Sequence, residues 1–300
     1  MKKINILIIF TLCAGTLSLA AQDDSVSIYK KRKHILWTGA ATGYAASMTF
    51  LYHSWYKDHE QSSFHFINDS KEWNFQDKAG HTITSYYITN YTYNTYRWAG
   101  YDRNQSVWMA GATGFFYQTV IEVLDGFSAE WGASYTDLLA NTTGSFLYIG
   151  QKKLWDEQRI IPKYSHHDTK FPEYRPDLLG SNLAEKILKD YNAKTYWLSG
   201  NLEQLFPETQ FPPWLNIAIG HNAYGMTGSE KNINYFNGKP VPDYKRTSRF
   251  LIAPDIDFTK INTNSKFLDF LLKAFRFIKA PAPAIEYNGR KGIRFHLIYF

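Results

Sequence analysis

"NQSVWMAGATGFFYQTVIEVLDG" (residues 104–126) decides the fold class, because it is apolar until it reaches Glu122 and Asp125 near its end. We interpret it as a helix, and residues 77–98, which lack strict alternation, as another. Residues 134–153 begin with Ser134 and Thr136, either of which suits the N-cap of a third helix. Residues 35–55 are the fourth predicted helix. Four helices separated by short loops predict a four-helix bundle.

Residues 35–55, "ILWTGAATGYAASMTFLYHSW", have two interpretations. The stretch has no Asp, Glu, Lys or Arg, and about 20 residues are enough to span a bilayer. Its many Gly, Ala, Ser and Thr residues suit a tightly packed helix of a bundle equally well. The sequence leaves open whether this segment crosses a membrane.

The composition changes at about residue 160. Prolines become frequent, apolar runs shorten, and four stretches have the composition of strands. These stretches are residues 214–221, 249–258, 282–288 and 292–300. The sequence therefore predicts an α+β protein. Its parts are a signal peptide at 1–22, a helical, membrane-associated domain at 23–160, and a C-terminal region of short antiparallel strands and amphipathic helices at 161–300.

The stretch "SKFLDFLLKAFRFI" (residues 265–278) predicts an amphipathic helix. Lys266, Asp269, Lys273 and Arg276 form one polar stripe beside a broad apolar face. A basic stripe suits a helix that lies on an anionic membrane surface. A helix that covers a small sheet fits the same pattern.

The first 22 residues have the pattern of a cleaved secretory signal: Lys2 and Lys3, an apolar run, and small residues before "DD". The chain has one cysteine, Cys13, inside this run. A lipidation site needs a small residue directly before its cysteine, and Leu12 stands there. We expect a protein that is exported across the inner membrane without lipidation and is associated with the outer membrane on its periplasmic side.

Charge and aromatic content narrow the partners. Without Lys2 and Lys3, 31 of the 33 basic residues remain against 27 acidic ones, a net charge of +4. This mild charge, with no clustered basic stripe, argues against a nucleic-acid partner. Aromatic residues make up 17% of the chain, and Tyr and Trp are favoured at bilayer interfaces. Membrane lipid is therefore the expected partner, and protein partners are not predicted.

The three helices after residue 76 each carry a polar pair near one end. The pairs are Asp77 with His81, Glu122 with Asp125, and Asp137 with Asn141. Spacings of three or four residues place each pair on one helix face. In a bundle, buried polar pairs are expected to face one another, because isolated buried polar groups are costly. We therefore expect one shared polar site.

The site has four candidate catalytic residues and three candidate binding residues. The catalytic candidates are His81, Glu122, Asp125 and Asp137, and the binding candidates are Asp77, Lys78 and Asn141. A histidine among carboxylates can bind a divalent cation, with His81, Glu122 and Asp137 as ligands, or can supply an acid and a base. Two other interpretations stay open: individual capping or solvated residues, and a buried network that only fixes helix register.

These motifs resemble a known family. The segments "W-x-F-x-DKAGH", "E-x-x-DGFS" and "YTDLLANTTG" are similar to the YfiM-like family of predicted periplasmic lipoproteins of unknown function. Their order is also similar to that of VanZ-like membrane proteins, although the arginine often found before the final aspartate of those proteins is absent. The resemblance covers about residues 35–150. It implies the same seven site residues and implies no particular reaction.

Two classes of function follow. In the first, a membrane-surface enzyme acts on an envelope lipid or phosphate-bearing precursor through the His/Glu/Asp site. In the second, a non-catalytic envelope protein binds lipid or a partner through its aromatic and amphipathic surfaces. The sequence has no G-x-S-x-G turn and no phosphate-binding Gly loop, so catalysis remains one of two alternatives.

Overall fold

The computed structural model describes residues 25–57 and 59–300 and divides into two compact units. The described part of the first unit comprises residues up to Asp69 and His81–Asp156, and the second comprises Ser70–Gly80 and Glu157–Phe300. The predicted signal peptide and Cys13 lie outside the described residues. The mixture of helices and antiparallel strands confirms the α+β prediction.

The first unit is helical. Its helices are α1 (Ser25–Leu51), continued by a π-helical turn (Tyr52–Tyr56), α2 (Gln76–Trp98), α3 (Arg103–Gly126) and α4 (Tyr135–Leu154). Helix α2 begins in the second unit and enters the first at His81. Two short parallel strands, β1 (Phe66–Ile67) and β2 (Ala133–Ser134), pair just before α4. The predicted bounds of α2, α3 and α4 are correct to within one residue at either end.

Small residues let α2, α3 and α4 approach closely. A Cβ atom on Gly144 of α4 would lie 2.1 Å from the Thr82 carbonyl oxygen of α2. A Cβ on Gly114 of α3 would lie 2.2 Å from Thr89 Oγ1. The hydroxyl of Ser85 then bonds across this contact to the Asn141 carbonyl oxygen at 2.7 Å. Glycine at these two positions therefore sets the spacing of the helices that carry the polar pairs.

Helix α1 contacts its neighbours mainly through aromatic side chains. Trp37 Nε1 donates to the Tyr101 hydroxyl at 3.1 Å, and the rings of Tyr44 and Tyr117 pack edge to face. Within residues 25–57 and 59–300, no helix combines the length and apolarity needed to cross a membrane. A regular four-helix bundle remains a prediction.

The second unit is built on one antiparallel sheet in the order β10-β9-β8-β5-β4-β3. Its strands are β3 (Ile160–His166), β4 (Lys194–Asn201), β5 (Leu215–Tyr224), β8 (Thr247–Ile256), β9 (Ala282–Asn288) and β10 (Gly292–Tyr299). A separate hairpin consists of β6 (Tyr235–Phe236) and β7 (Lys239–Pro240). Four of the six sheet strands were predicted, whereas β3 and β4 were not.

Short helices connect these strands. They are α5 (Pro176–Leu179), α6 (Leu183–Lys189), α7 (Leu202–Leu205) and α8 (Lys266–Ala274), with 3-10 turns at Glu72–Phe75, Phe171–Glu173, Tyr191–Ala193 and Phe258–Lys260. Helix α8 confirms the predicted amphipathic helix but stops at Ala274, four residues early. After it the chain turns over residues 275–277, and Ile278 forms a bridge with Tyr164.

One face of the sheet is buried and largely polar. Asp255 accepts a bond from Ser199 Oγ at 2.6 Å and forms an ion pair with Lys163 Nζ at 2.8 Å. Lys279 Nζ lies 3.7 Å from the same carboxylate, and all three charged side chains are at most 1% exposed. Because each of these buried charges has a partner, the face is stabilised by a polar network rather than by apolar packing alone.

Candidate functional site

The His81 ring lies between two buried carboxylates of the first unit. Its Nδ1 atom is 3.7 Å from Glu122 Oε1, and its Nε2 atom is 3.9 Å from Asp137 Oδ1. The His81 side chain is 16% exposed, whereas those of Glu122 and Asp137 are 3% and 6% exposed. Helices α2, α3 and α4 thus each contribute one ionisable group to one place.

Asn141 faces one ring nitrogen of this histidine. Its side-chain oxygen lies 3.1 Å from His81 Nδ1, a distance at which an N–H group donates to a carbonyl oxygen. Gln118 Nε2 also faces Nδ1, but at 3.5 Å, so the shorter contact dominates. Protonation of Nδ1 leaves the lone pair of the neutral ring on Nε2, the nitrogen nearer to Asp137.

Glu122 is held by the turn before α4. Its Oε2 atom accepts a hydrogen bond from the Ser134 backbone N–H at 3.0 Å. The Ser134 hydroxyl donates to Asp69 in turn, and Thr136 Oγ1 donates to Asp69 Oδ1 at 2.7 Å. The β2–α4 turn therefore fixes the position of one Glu122 oxygen, while the other lies on the side of His81.

The same turn positions Asp137. Ser134 is the N-cap of α4, because its hydroxyl accepts a bond from the Asp137 N–H at 3.1 Å. This confirms one of the two predicted caps. Asp137 lies in the first turn, where a negative charge is favoured by the helix dipole. Its carboxylate is nonetheless buried and close to His81, so capping alone does not describe it.

Asp125 lies one turn after Glu122 on α3 and bonds to a tyrosine of the π-helical turn that follows α1. The Tyr56 hydroxyl donates to Asp125 Oδ1 at 2.6 Å. Burial first, and then the Asp125 charge, raises the pKa of Tyr56 above its usual value. These contacts suit a positioning role, and a catalytic role for Asp125 stays a prediction.

Asp77 and Lys78 belong to the second unit. The Tyr191 hydroxyl donates to Asp77 Oδ1 at 2.7 Å, and Lys78 Nζ lies 3.0 Å from Asp77 Oδ2. Burial lowers the pKa of Lys194 to about 8, against the opposing charges of Asp77 and Asp190. Within its own unit, Asp77 is thus bonded to a tyrosine and paired with a lysine.

A divalent cation would find two kinds of ligand atom beside His81. Nε2 of a neutral imidazole is a common metal ligand, and the Asp137 carboxylate offers oxygen. The Asn141 amide nitrogen is buried and has no hydrogen-bond partner among the described residues. The geometry thus suits either a cation held by His81 and Asp137 or a proton transfer at Nε2.

Three groups that support the site residues were not predicted from the sequence. Asp69 and the side chain of Gln118 were not among the predicted site residues, and the Ser134 amide could not be, because it is a backbone group. Asp69 stands in a short polar stretch, "NDS", which has no periodicity to mark it. Its role depends on the pairing of β1 with β2, and no pattern in the sequence predicts that pairing.

Residues 63–149 match one protein-family model. Its description is "Predicted periplasmic lipoprotein (DUF2279)". The match covers α2, α3, most of α4 and every predicted site residue. It makes this part of the chain similar to that family, whose description names no reaction, and it supports a periplasmic location. It begins after Cys13, so the absence of lipidation remains a prediction. No curated protein and no solved structure matches the chain.

Proposed function

We propose that the helical unit is an enzyme of the cell envelope that acts on a lipid or phosphate-bearing precursor. The observation that carries this proposal is the position of His81, whose ring lies between Glu122 and Asp137 on three different helices. A histidine ring at 3.7 and 3.9 Å from two buried carboxylates is suited to proton transfer, because both carboxylates stabilise its charged form.

In the proposed chemistry, His81 Nε2 is the working atom. With Nδ1–H donated to Asn141, Nε2 accepts a proton from a water or hydroxyl group, and Asp137 stabilises the imidazolium that forms. Glu122, held by the Ser134 amide, stabilises the same positive charge from the Nδ1 side. If a divalent cation were bound instead, His81 and Asp137 would be its protein ligands, and the cation would polarise a phosphate oxygen.

The membrane part of the proposal rests on the surface of the protein rather than on this site. We propose membrane lipid as a partner and the outer membrane as the location. The likeness to VanZ-like membrane proteins agrees with such a setting and remains a prediction.

The test is release of inorganic phosphate from phosphatidic acid and from a polyprenyl diphosphate. We expect His81→Ala and Asp137→Asn each to lower the rate by roughly 10²–10⁴-fold, the usual contribution of a general acid or base. Asp156→Asn is the matched control, because this carboxylate of the first unit is 64% exposed. Both active-site variants should unfold at nearly the wild-type denaturant concentration.

The opposite pattern would reject the enzyme. If neither substrate is hydrolysed and His81→Ala costs about 1–3 kcal/mol of stability, the network is structural. The protein would then be a non-catalytic envelope component.

A further inference from the structure

The outward face of the six-stranded sheet carries an ordered apolar surface. Backbone pairing aligns one outward residue from each of five neighbouring strands in a continuous row. We call it the aliphatic row, because four of its members are Leu198, Ile219, Ile252 and Ile285; Phe295 of β10 ends it. Every member is between 43% and 69% exposed. Scattered exposed apolar residues are normal, but a contiguous patch indicates contact with something.

A second row runs beside the first. We call it the aromatic row, because four of its members are Tyr196, His221, Phe250 and Tyr287; Ile293 of β10 ends it. With strands about 4.8 Å apart, each row is roughly 19 Å long. Gln76 at the start of α2 bonds to His221, so the end of the row near β4 is partly covered. Phe250, Tyr287 and Ile293 are more than half exposed.

The charges of the sheet avoid this surface. The two rows contain no Asp, Glu, Lys or Arg. The inward positions of the same strands instead hold Asp255, Glu286 and Arg249. These strands therefore bury charged side chains beside a small apolar core and expose apolar side chains on the outward face. A sheet facing water on one side has the opposite pattern.

We infer that the aliphatic row and the aromatic row rest on a lipid bilayer, with the sheet lying flat at the membrane surface. This inference rests on the proposed membrane association and identifies the residues that contact lipid. It does not depend on the chemistry at His81.

Charge complementarity favours lipid as the occupant. Arg290 and Lys291 are exposed in the β9–β10 turn, directly beyond the Tyr287 and Ile293 end of the aromatic row. Cations beside an exposed apolar surface match a bilayer, in which anionic headgroups lie around the acyl chains.

A protein partner fits less well. Protein interfaces carry about one hydrogen bond per 100–200 Å². The aliphatic row offers no polar side chain, and the backbones of β9, β8, β5 and β4 are paired on both sides. Hydrocarbon needs no hydrogen bonds, so lipid matches this row.

The edge of the sheet decides the orientation. Strand β10 is the last strand of the sheet on one side, and its Ile293, Phe295 and Leu297 are all at least 69% exposed. Unpaired backbone groups of an edge strand are not tolerated in the hydrocarbon core. A sheet lying flat keeps this edge in the hydrated interface while its side chains reach about 5–10 Å into the boundary region.

Spin labels on single cysteines test the inference directly. In a full chain with Cys13→Ser, one introduced cysteine is the sole labelling site. We would label Ile252→Cys and Phe295→Cys, with Asp243→Cys as the control because its side chain is 77% exposed. The probe membrane is a vesicle of phosphatidylethanolamine and phosphatidylglycerol.

On addition of vesicles, we expect the Ile252 and Phe295 labels to gain collisions with oxygen and lose collisions with a water-soluble nickel complex. The Asp243 label should keep both values. In flotation, Ile219→Gln with Ile285→Gln should weaken vesicle binding at least tenfold, since two exposed isoleucines lose their apolar contact. His81→Ala should bind vesicles like the wild type, which separates this surface from the enzymatic proposal.

Two results would overturn the inference. In one, the Ile252 and Phe295 labels do not respond to vesicles. In the other, they become shielded as protein concentration rises without vesicles, which would show that a second copy covers the surface.

Discussion

Replacing Gly144 by alanine tests whether the spacing of α2 and α4 creates the site. The added Cβ would lie 2.1 Å from the Thr82 carbonyl oxygen and 2.9 Å from the Thr82 carbonyl carbon. Both atoms are backbone and adjacent to His81, so the helices must separate. Overpacking of this kind costs about 1–3 kcal/mol.

Gly150→Ala is the matched control. Gly150 lies on the same helix, and a Cβ there would have no neighbour within 4 Å. Alanine is the better helix former by about 1 kcal/mol, so this change should stabilise the protein. The same propensity gain applies at Gly144 and cancels in the comparison, so Gly144→Ala should be less stable than Gly150→Ala by the overpacking cost of about 1–3 kcal/mol.

Urea denaturation followed by circular dichroism measures both variants. Gly144→Ala should also lower the rate of phosphate release, because His81 is displaced from Asp137 and Asn141. Equal stability of the two variants would refute the reasoning, since it would mean that α2 and α4 do not touch at Gly144.

Three other outcomes are expected. Asp255→Asn should cost about 3–5 kcal/mol of stability, because Lys163 and Lys279 lose their buried carboxylate. Asp243→Asn is the control: Asp243 is in an exposed pair with Lys245, so this change should alter stability by less than about 0.5 kcal/mol. Equal effects of the two changes in urea denaturation would contradict the buried network. Burial lowers the pKa of Lys194 from 10.5 to about 8. Between these two pH values the folded protein binds fewer protons than the unfolded chain, so wild-type stability should rise from pH 8 to 10.5 relative to Lys194→Met. Parallel curves of stability against pH for the two proteins would show that Lys194 is not buried. Ser134→Ala should destabilise α4 by about 1–2 kcal/mol and lower the rate of phosphate release, because the N-cap bond and the bond to Asp69 are lost together. A wild-type melting temperature in calorimetry and a wild-type rate of phosphate release would contradict this role of Ser134.

The helices were predictable because their signals are local. The polar pairs of α2, α3 and α4 lie at spacings of three or four residues, and Ser134 is a recognisable cap. The sequence also predicted the meeting of His81 with Glu122 and Asp137, since acid-bearing faces of neighbouring helices are expected to converge. It could not predict the roles of Asn141 and the Ser134 amide, which depend on the rotation of each helix about its axis.

Strands β3 and β4 were missed for a physical reason. Their buried positions hold polar residues such as Lys163, Ser165 and Ser199, while Leu198 points outward. A search for strands that bury their apolar residues fails on this pattern. The same inversion created the apolar outward rows, which appear only when the register of five strands is known.

The tautomer of His81 tests the central claim most directly. Nitrogen-15 NMR of histidine-labelled protein distinguishes a protonated ring nitrogen from one with a lone pair, and His81→Gln identifies the signals among the nine histidines. The structure predicts that the neutral His81 ring carries its proton on Nδ1 and its lone pair on Nε2. It also predicts that Asn141→Ala weakens this preference. A neutral ring protonated on Nε2, unchanged by Asn141→Ala, would contradict the proposed site.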